Sequence, residues 1–133
     1  MAMFDYFASL TPNTDPAASV RSFYKVVGRL DTRDHVSQVA AEARALSVRY
    51  GLDLVATNLA ALAHDLASVV PVAEMPAVAQ QMGLDVTDAD RAIPMLLHGP
   101  IAAAALAEKL KVQDPAILNA MRYHTTLCAG AGA

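Results

Sequence analysis

The chain has no tryptophan, a single cysteine and only 5% aromatic residues among its 133. One cysteine cannot form an internal disulfide, which excludes a small secreted fold held by disulfides. The chain also has no excess of positive charge, because ten Lys and Arg residues face thirteen Asp and Glu residues and give a net charge of -3. Binding to nucleic acid requires a basic surface, so we expect no nucleic-acid partner.

Long hydrophobic runs are missing as well. The most apolar stretch, residues 54–70, is interrupted by Thr57, Asn58 and the adjacent His64 and Asp65. It therefore falls short of the eighteen or so consecutive apolar residues that indicate a membrane span. The first residues, Met-Ala-Met-Phe-Asp-Tyr, lack the basic start and apolar centre of a signal peptide. We expect a cytoplasmic protein that does not act at a membrane.

The residues that are abundant favour helices. Hydrophobic residues make up 55% of the chain, and Ala and Leu dominate them, which suits packed helices better than short strands. A chain of this length forms one domain, so we predict an all-α fold, with an N-terminal arm at residues 1–14 and the domain at residues 15–133. The apolar and aromatic residues of the arm suit docking onto the domain or the interface of a homodimer equally.

Cap and turn signals divide the domain into helices. Asp15-Pro16 and Asp114-Pro115 are starts with a capping side chain and a first-turn proline, and Gly51 is a C-terminal stop. The predicted helices cover residues 16–27, 32–50, 54–66, 71–82, 98–111 and 115 onwards, and the polar run 85–91 holds at most one further turn. Since the third of these has hardly any polar face, we expect His64 and Asp65 to lie in the interior of the bundle.

The candidate site begins with that pair. Burying a histidine beside an aspartate is costly unless the two are paired, hydrogen-bonded or bound to a metal. The chain has only three other histidines, His35, His98 and His124, and they are widely spread. Imidazole nitrogens and a carboxylate together suit Zn, Fe, Mn or Ni, so one shared metal cluster is the sharper hypothesis. For any single histidine, an ordinary core or surface role is the more common one.

The motifs around these histidines resemble a known family. They are His35, the pair His64-Asp65, residues 96–100 (Leu-Leu-His-Gly-Pro) and residues 120–126 (Ala-Met-Arg-Tyr-His-Thr-Thr). The set is similar to that of HD-domain proteins of the YqeK type, which are symmetrical diadenosine tetraphosphate hydrolases. The similarity runs from about His35 to Thr126, most of the chain.

The resemblance implies a helical bundle of about six helices that holds two divalent metal ions, with iron the first choice and manganese or another transition metal as alternatives. By that analogy His35, His64 and Asp65 bind one ion, while Asp65, His98 and His124 bind the other. A carboxylate shared by two dications offsets their repulsion. The family uses a metal-activated hydroxide to split the tetraphosphate bridge into two ADP molecules, which makes His64 and Asp65 the catalytic centre.

A nucleotide substrate carries negative charge that requires cationic groups besides the metals. Arg122, beside His124, and Arg33, beside His35, are the candidates for contacts with the substrate. The alternative for both is an ordinary surface role or an ion pair.

The chain departs from the family pattern at three places. Residues 36–39 read Val-Ser-Gln-Val where family members usually have Thr and Gly, and Ser68 stands where a Lys is frequent. In addition, the family continues past Thr-Thr into a helix with an aspartate ligand, whereas the sequence ends at Ala133. A truncated chain and a lost ligand both fit this observation. The alternatives are therefore an HD phosphohydrolase acting on another nucleotide or phosphate ester, a degenerate metal- or nucleotide-binding module, and a purely structural helical protein.

Overall fold

The computed structural model describes residues 5–12 and 15–123, and these residues form helices and connections without a β-strand. Within these residues lie seven α-helices: α1 (Pro16–Val26), α2 (Leu30–Tyr50), α3 (Leu54–Ala63), α4 (Met75–Gln81), α5 (Asp88–Ala92), α6 (His98–Leu110) and α7 (Pro115–Tyr123). Short 3-10 turns cover Leu66–Val69, Val72–Glu74 and Pro94–Leu97. The predicted all-α fold is confirmed.

The helix ends follow the signals in the sequence. Asp15 accepts a hydrogen bond from the backbone N–H of Ala17 at 3.0 Å, with Pro16 in the first helical position, because the first N–H groups of a helix have no partner within it. Gly51 ends α2 with a φ of 69°, in the left-handed region, which a glycine adopts without steric cost.

The helix predicted for residues 54–66 is shorter than expected. α3 ends at Ala63, His64 is its C-cap and the chain continues as the 3-10 turn Leu66–Val69. Asp65 has φ -103° and ψ 17°, outside the α-helical region, so the i to i+4 hydrogen-bonding pattern stops there and the N–H of Ser68 donates to the carbonyl of Asp65 instead. The prediction that the pair lies in the interior is wrong, since the side chains of His64 and Asp65 are 20% and 27% exposed at a helix end.

The core lies between α1, α2, α3, α6 and α7. α2 packs mainly along α3, and α6 packs on α7 and on the 3-10 turn that follows α3. The largest side chains that are fully buried there include Phe23, Tyr24, Leu62, Leu66, Ile101 and Leu106. Because the turn after α3 contributes Leu66 to this core, the backbone on both sides of the His64-Asp65 pair is fixed by packing.

The N-terminal arm docks onto this core where the structure describes it. Phe7 and Leu10 are 2% and 1% exposed, and the ring of Phe7 stacks on that of Phe23 with centroids 5.9 Å apart. An ion pair also links the arm to α6, because the ammonium of Lys109 lies 2.7 Å from the Asp5 carboxylate. Of the two roles considered for the arm, docking onto its own domain is therefore observed for residues 5–12.

Within residues 5–12 and 15–123, no single helix is long and apolar enough to cross a membrane. The segments Leu54–Val69 and Val72–Gln81 pass the test of length and composition only as a pair, and they are bent by 91° relative to each other.

Gly99 allows two helices to come unusually close. It is the second residue of α6, and a Cβ atom added to it would lie 2.6 Å from the carbonyl oxygen of Met121 and 2.8 Å from that of Arg122, both in α7. Real Cβ atoms do not approach oxygen so closely. The glycine in the Leu-Leu-His-Gly-Pro motif thus lets the first turn of α6 rest against the last turn of α7.

We predict that Gly99→Ala lowers the free energy of unfolding by about 1–3 kcal/mol, because the helices must separate to admit the methyl group. Helix propensity alone predicts the opposite sign, since alanine is favoured over glycine inside a helix by about 1 kcal/mol. Chemical denaturation of both proteins measures the difference, and a variant more stable than the parent would contradict the close approach.

Candidate metal centre

Three of the predicted ligands come together at the end of α3. His64 and Asp65 follow its last residue, and His35 reaches them from α2. One ligand atom from each of the three lies within 4.8 Å of the others. The carboxylate Oδ2 of Asp65 is 3.4 Å from Nε2 of His64 and 3.7 Å from Nε2 of His35, and the two imidazole rings meet nearly edge to face at 6.1 Å.

A backbone carbonyl fixes the orientation of His64. Its Nδ1 lies 2.5 Å from the carbonyl oxygen of Ala61, and such a bond requires the proton on Nδ1. In this tautomer the lone pair of the ring is on Nε2, the atom that faces Asp65. Histidines that bind metals commonly donate their second nitrogen to a carbonyl or carboxylate in this way, so the arrangement of His64 suits a ligand.

The electrostatic surroundings also favour a cation. The last carbonyls of an α-helix carry a partial negative charge that stabilises positive charge within the final turn. The three donors lie at this end of α3, and one of them is a carboxylate. Two imidazole nitrogens and a carboxylate oxygen suit Zn, Fe or Mn, whereas Ca and Mg prefer oxygen alone. These residues therefore fit a divalent transition metal in both chemistry and spacing.

His98 is held in the same manner at a different place. It is the first residue of α6, and its Nδ1 lies 2.7 Å from the carbonyl oxygen of Met95 in the preceding 3-10 turn. Within residues 5–12 and 15–123, the close group of ligand atoms contains His35, His64 and Asp65 but does not include His98. His124 lies outside the described residues. A single cluster of all four histidines stays a prediction.

The two arginines proposed to contact the substrate make local contacts. Arg33, on α2, is 3.3 Å from the carboxylate of Asp34. Arg122, in the last turn of α7, donates to the side-chain oxygen of Asn119 at 3.1 Å. Both contacts are of the kind formed by exposed side chains, which contribute little to stability. Their role toward a substrate stays a prediction.

Sequence reasoning gave no special role to Tyr24, which falls on the apolar face of α1. Its side chain is fully buried, and its hydroxyl donates to the carbonyl oxygen of Leu62 at 2.9 Å, two residues before His64. Burial raises the pKa of this hydroxyl, and the negative charge of Asp65 adds to the effect. No pattern in the sequence could have found this contact, because a tyrosine at an apolar helical position indicates only packing.

An apolar cleft of about 630 Å³ opens beside His64. α2, α3 and α7 line it, largely with alanine side chains such as Ala43, Ala60 and Ala120. Its few polar groups are engaged at the start of α3, where Asp53 caps the N–H of Ala56 and the Thr57 hydroxyl donates to the carbonyl of Asp53. The wall of the cleft therefore offers mainly van der Waals contact, and His64 is the one of the three candidate ligands that lines it.

Comparison with known proteins agrees with this geometry. The family model described as HD domain matches residues 32–131, which include His35, His64, Asp65, His98 and His124. This match covers most of the sequence, and the chain belongs to the HD domain family.

Within that family the chain is similar to symmetrical bis(5'-nucleosyl)-tetraphosphatases. It is 34% identical to the enzyme of that name from Bacillus subtilis over 94 residues, which are 69% of this chain and 49% of the enzyme. It is 30% identical to the one from Staphylococcus aureus over 95 residues, 70% of this chain and 47% of that enzyme. The chain thus spans about half the length of the curated relatives it matches, and no solved structure matches it significantly.

We predict that Asp65→Asn reduces the affinity for a divalent metal by at least about tenfold, the low end of what the loss of even an outer hydrogen-bonding partner costs. The amide keeps the size of the side chain but removes the negative charge between the two histidines. Titration calorimetry with Mn²⁺ on protein stripped of metal measures the change.

Asp34→Asn is the matched control, because Asp34 is the exposed neighbour of His35 and pairs with Arg33. It alters the net charge by the same amount without touching the three donors. Equal losses of affinity in the two variants would show that general charge, and not coordination by Asp65, governs binding.

Proposed function

We propose that this chain is a metal-dependent phosphohydrolase that splits diadenosine tetraphosphate symmetrically into two ADP molecules. Support for the reaction comes from the two similar enzymes, whose names describe symmetrical cleavage of bis(5'-nucleosyl) tetraphosphates. Support for metal dependence comes from the group of His35, His64 and Asp65, which lies within the matched HD domain. A small nucleotide is then the partner, and a cytoplasmic location suits it.

The observation that carries the proposal is the convergence of three donors from two helices. A histidine and an aspartate adjacent in sequence are common, but here a histidine from α2 joins them within 4.8 Å. The side chain of His35 is 61% exposed, so burial does not force it into this position, yet its Nε2 lies 3.7 Å from Oδ2 of Asp65. A cation bound by all three side chains would explain why they converge.

A divalent ion held by His35, His64 and Asp65 would lower the pKa of a bound water molecule toward neutral pH and would offset negative charge on the phosphoryl oxygens. The chain's own residues prepare this site. Ala61 fixes the ring of His64 through its carbonyl, so that Nε2 is directed toward the centre. Asp65 contributes negative charge between the two imidazoles and is the side chain that would bridge to a second ion.

The second ion would draw on His98 and His124 together with Asp65. Gly99 brings the first turn of α6, which begins with His98, against the last turn of α7, and His124 lies outside the described residues. Iron is the first choice for both ions, and manganese is the alternative. Arg33 and Arg122 are the side chains proposed to contact the phosphates, because positioned cationic groups stabilise the charge that develops on the phosphoryl oxygens in the transition state.

The test is elemental analysis of protein purified without chelator, together with a turnover assay on diadenosine tetraphosphate. We expect bound iron or manganese and ADP as the sole nucleotide product. His64→Ala should remove most of the metal and lower kcat/KM by at least about a hundredfold, since a variant that lacks a metal ligand loses the activated water. Asp85→Asn is the control in this assay, because Asp85 is exposed and belongs neither to the three donors nor to the contacts of Arg33 and Arg122.

Three results would separate the alternatives. AMP and ATP as products would contradict symmetrical cleavage while leaving a phosphohydrolase. Metal without turnover of any nucleotide or phosphate ester would point to a binding module of the HD type. Failure to bind Fe²⁺, Mn²⁺ or Zn²⁺ would overturn the metal centre itself.

A further inference from the structure

We infer that Tyr24 is a positioning residue of the metal centre: by holding the last turn of α3 it sets the direction of the His64 and Asp65 side chains. The inference rests on the proposal that these two residues bind metal. Tyr24 belongs to α1, which contributes no ligand to the group of His35, His64 and Asp65.

Adjacent residues of a regular helix are poorly placed to bind one ion together. In a continuous α-helix, neighbouring side chains point about 100° apart around the axis, so two consecutive residues do not face one ion. Here the helix ends between them, with His64 still in the α region and Asp65 at φ -103° and ψ 17°. The change in backbone brings Oδ2 of Asp65 to 3.4 Å from Nε2 of His64. The place where α3 stops therefore determines whether the pair converges.

Hydrogen bonds to its last carbonyls fix the end of α3. The last four carbonyls of an α-helix have no partner within it and must be satisfied by other groups. In α3, the carbonyl of Ala61 bonds to the ring of His64, and the carbonyl of Leu62 accepts the hydroxyl of Tyr24 at 2.9 Å. The first bond joins two residues of the same helix end, so it moves together with that end. The second comes from another helix, and it ties the end to the core.

The side chain of Tyr24, which donates this hydrogen bond, is held rigidly in the core. The side chain of Tyr24 is 0% exposed and packs beside Phe23, with ring centroids 6.0 Å apart. Burial and the nearby Asp65 raise the pKa of its hydroxyl, which favours the protonated form that donates. The carbonyl of Leu62 thus meets a buried donor whose ring is held by packing.

Tyr24→Phe isolates this bond, because phenylalanine preserves the buried ring and removes only the hydroxyl. Tyr6→Phe is the matched control: the Tyr6 hydroxyl donates to Glu74 at 2.6 Å, on the surface and away from the three donors. Both variants lose one phenolic hydrogen bond. If Tyr24 acts only through stability, the two differ in melting temperature alone.

The first measurement uses metal-free protein and does not depend on activity. Nitrogen-15 spectra of the imidazole rings report which nitrogen of His64 carries the proton. We expect the parent and Tyr6→Phe to show the Nδ1–H form that the bond to Ala61 requires, and Tyr24→Phe to show a mixture of tautomers. An unchanged His64 signal in Tyr24→Phe would overturn the inference, whatever metal the protein binds.

The second measurement uses Co²⁺, whose visible absorption reports coordination geometry. We expect Tyr24→Phe to alter the band positions or intensities and to weaken Co²⁺ binding by about tenfold, as loss of an outer support typically does. Tyr6→Phe should match the parent in both. A lower melting temperature with an unchanged Co²⁺ spectrum and affinity would reduce Tyr24 to a packing residue, whereas failure of the parent to bind Co²⁺ and the metals named above would instead contradict the proposed metal centre.

Discussion

The end of α3 is the constraint on which the candidate site depends. The two candidate ligands that are neighbours in sequence converge only if the backbone changes conformation between them, and it does so where the α-helix gives way to a 3-10 turn. Packing holds both sides of this junction, because Leu62 precedes it and Leu66 follows it in the core. The site is therefore built at a break in regular structure that the surrounding helices keep in one place.

The hydrogen bonds around this break serve two purposes at once. A helix end must satisfy its last carbonyls, and a histidine ligand must have its ring fixed by its second nitrogen. The bond from His64 to the carbonyl of Ala61 meets both requirements with one contact. His98 repeats the arrangement with the carbonyl of Met95 at the start of α6. In both cases a backbone oxygen three residues earlier orients the ring, so the local chain supplies its own outer shell.

Much of this architecture could be predicted from the sequence. The cap residues Asp15 and Asp114 and the stop at Gly51 follow from the chemistry of helix ends, and each is observed. The end of α3 could not be predicted, because the apolar pattern continues through Leu66 while the helix does not. Periodicity records which side chains are buried, and a 3-10 turn buries Leu66 as well as a helix would.

The candidate site, too, could be predicted from the sequence only in part. His35, His64 and Asp65 could be named in advance because few residue types bind transition metals and the chain has few histidines. Their distances could not, since they depend on how α2 lies along α3. The contact from Tyr24 could not be predicted for a related reason. Its partner is a backbone carbonyl, and because every residue has one, the sequence does not indicate which one accepts the bond.

The adjacency of His64 and Asp65 has a consequence for motion. Two ligands on consecutive residues share one segment of backbone, so a cation held by both would clamp the junction between α3 and the 3-10 turn as a single unit. Local opening of the final turn of α3 would then require release of the ion, since fraying of a helix end changes the direction of the side chains at that end. In such a site, the occupancy of the metal and the exchange rate of nearby amide hydrogens would both report the opening equilibrium of this helix end.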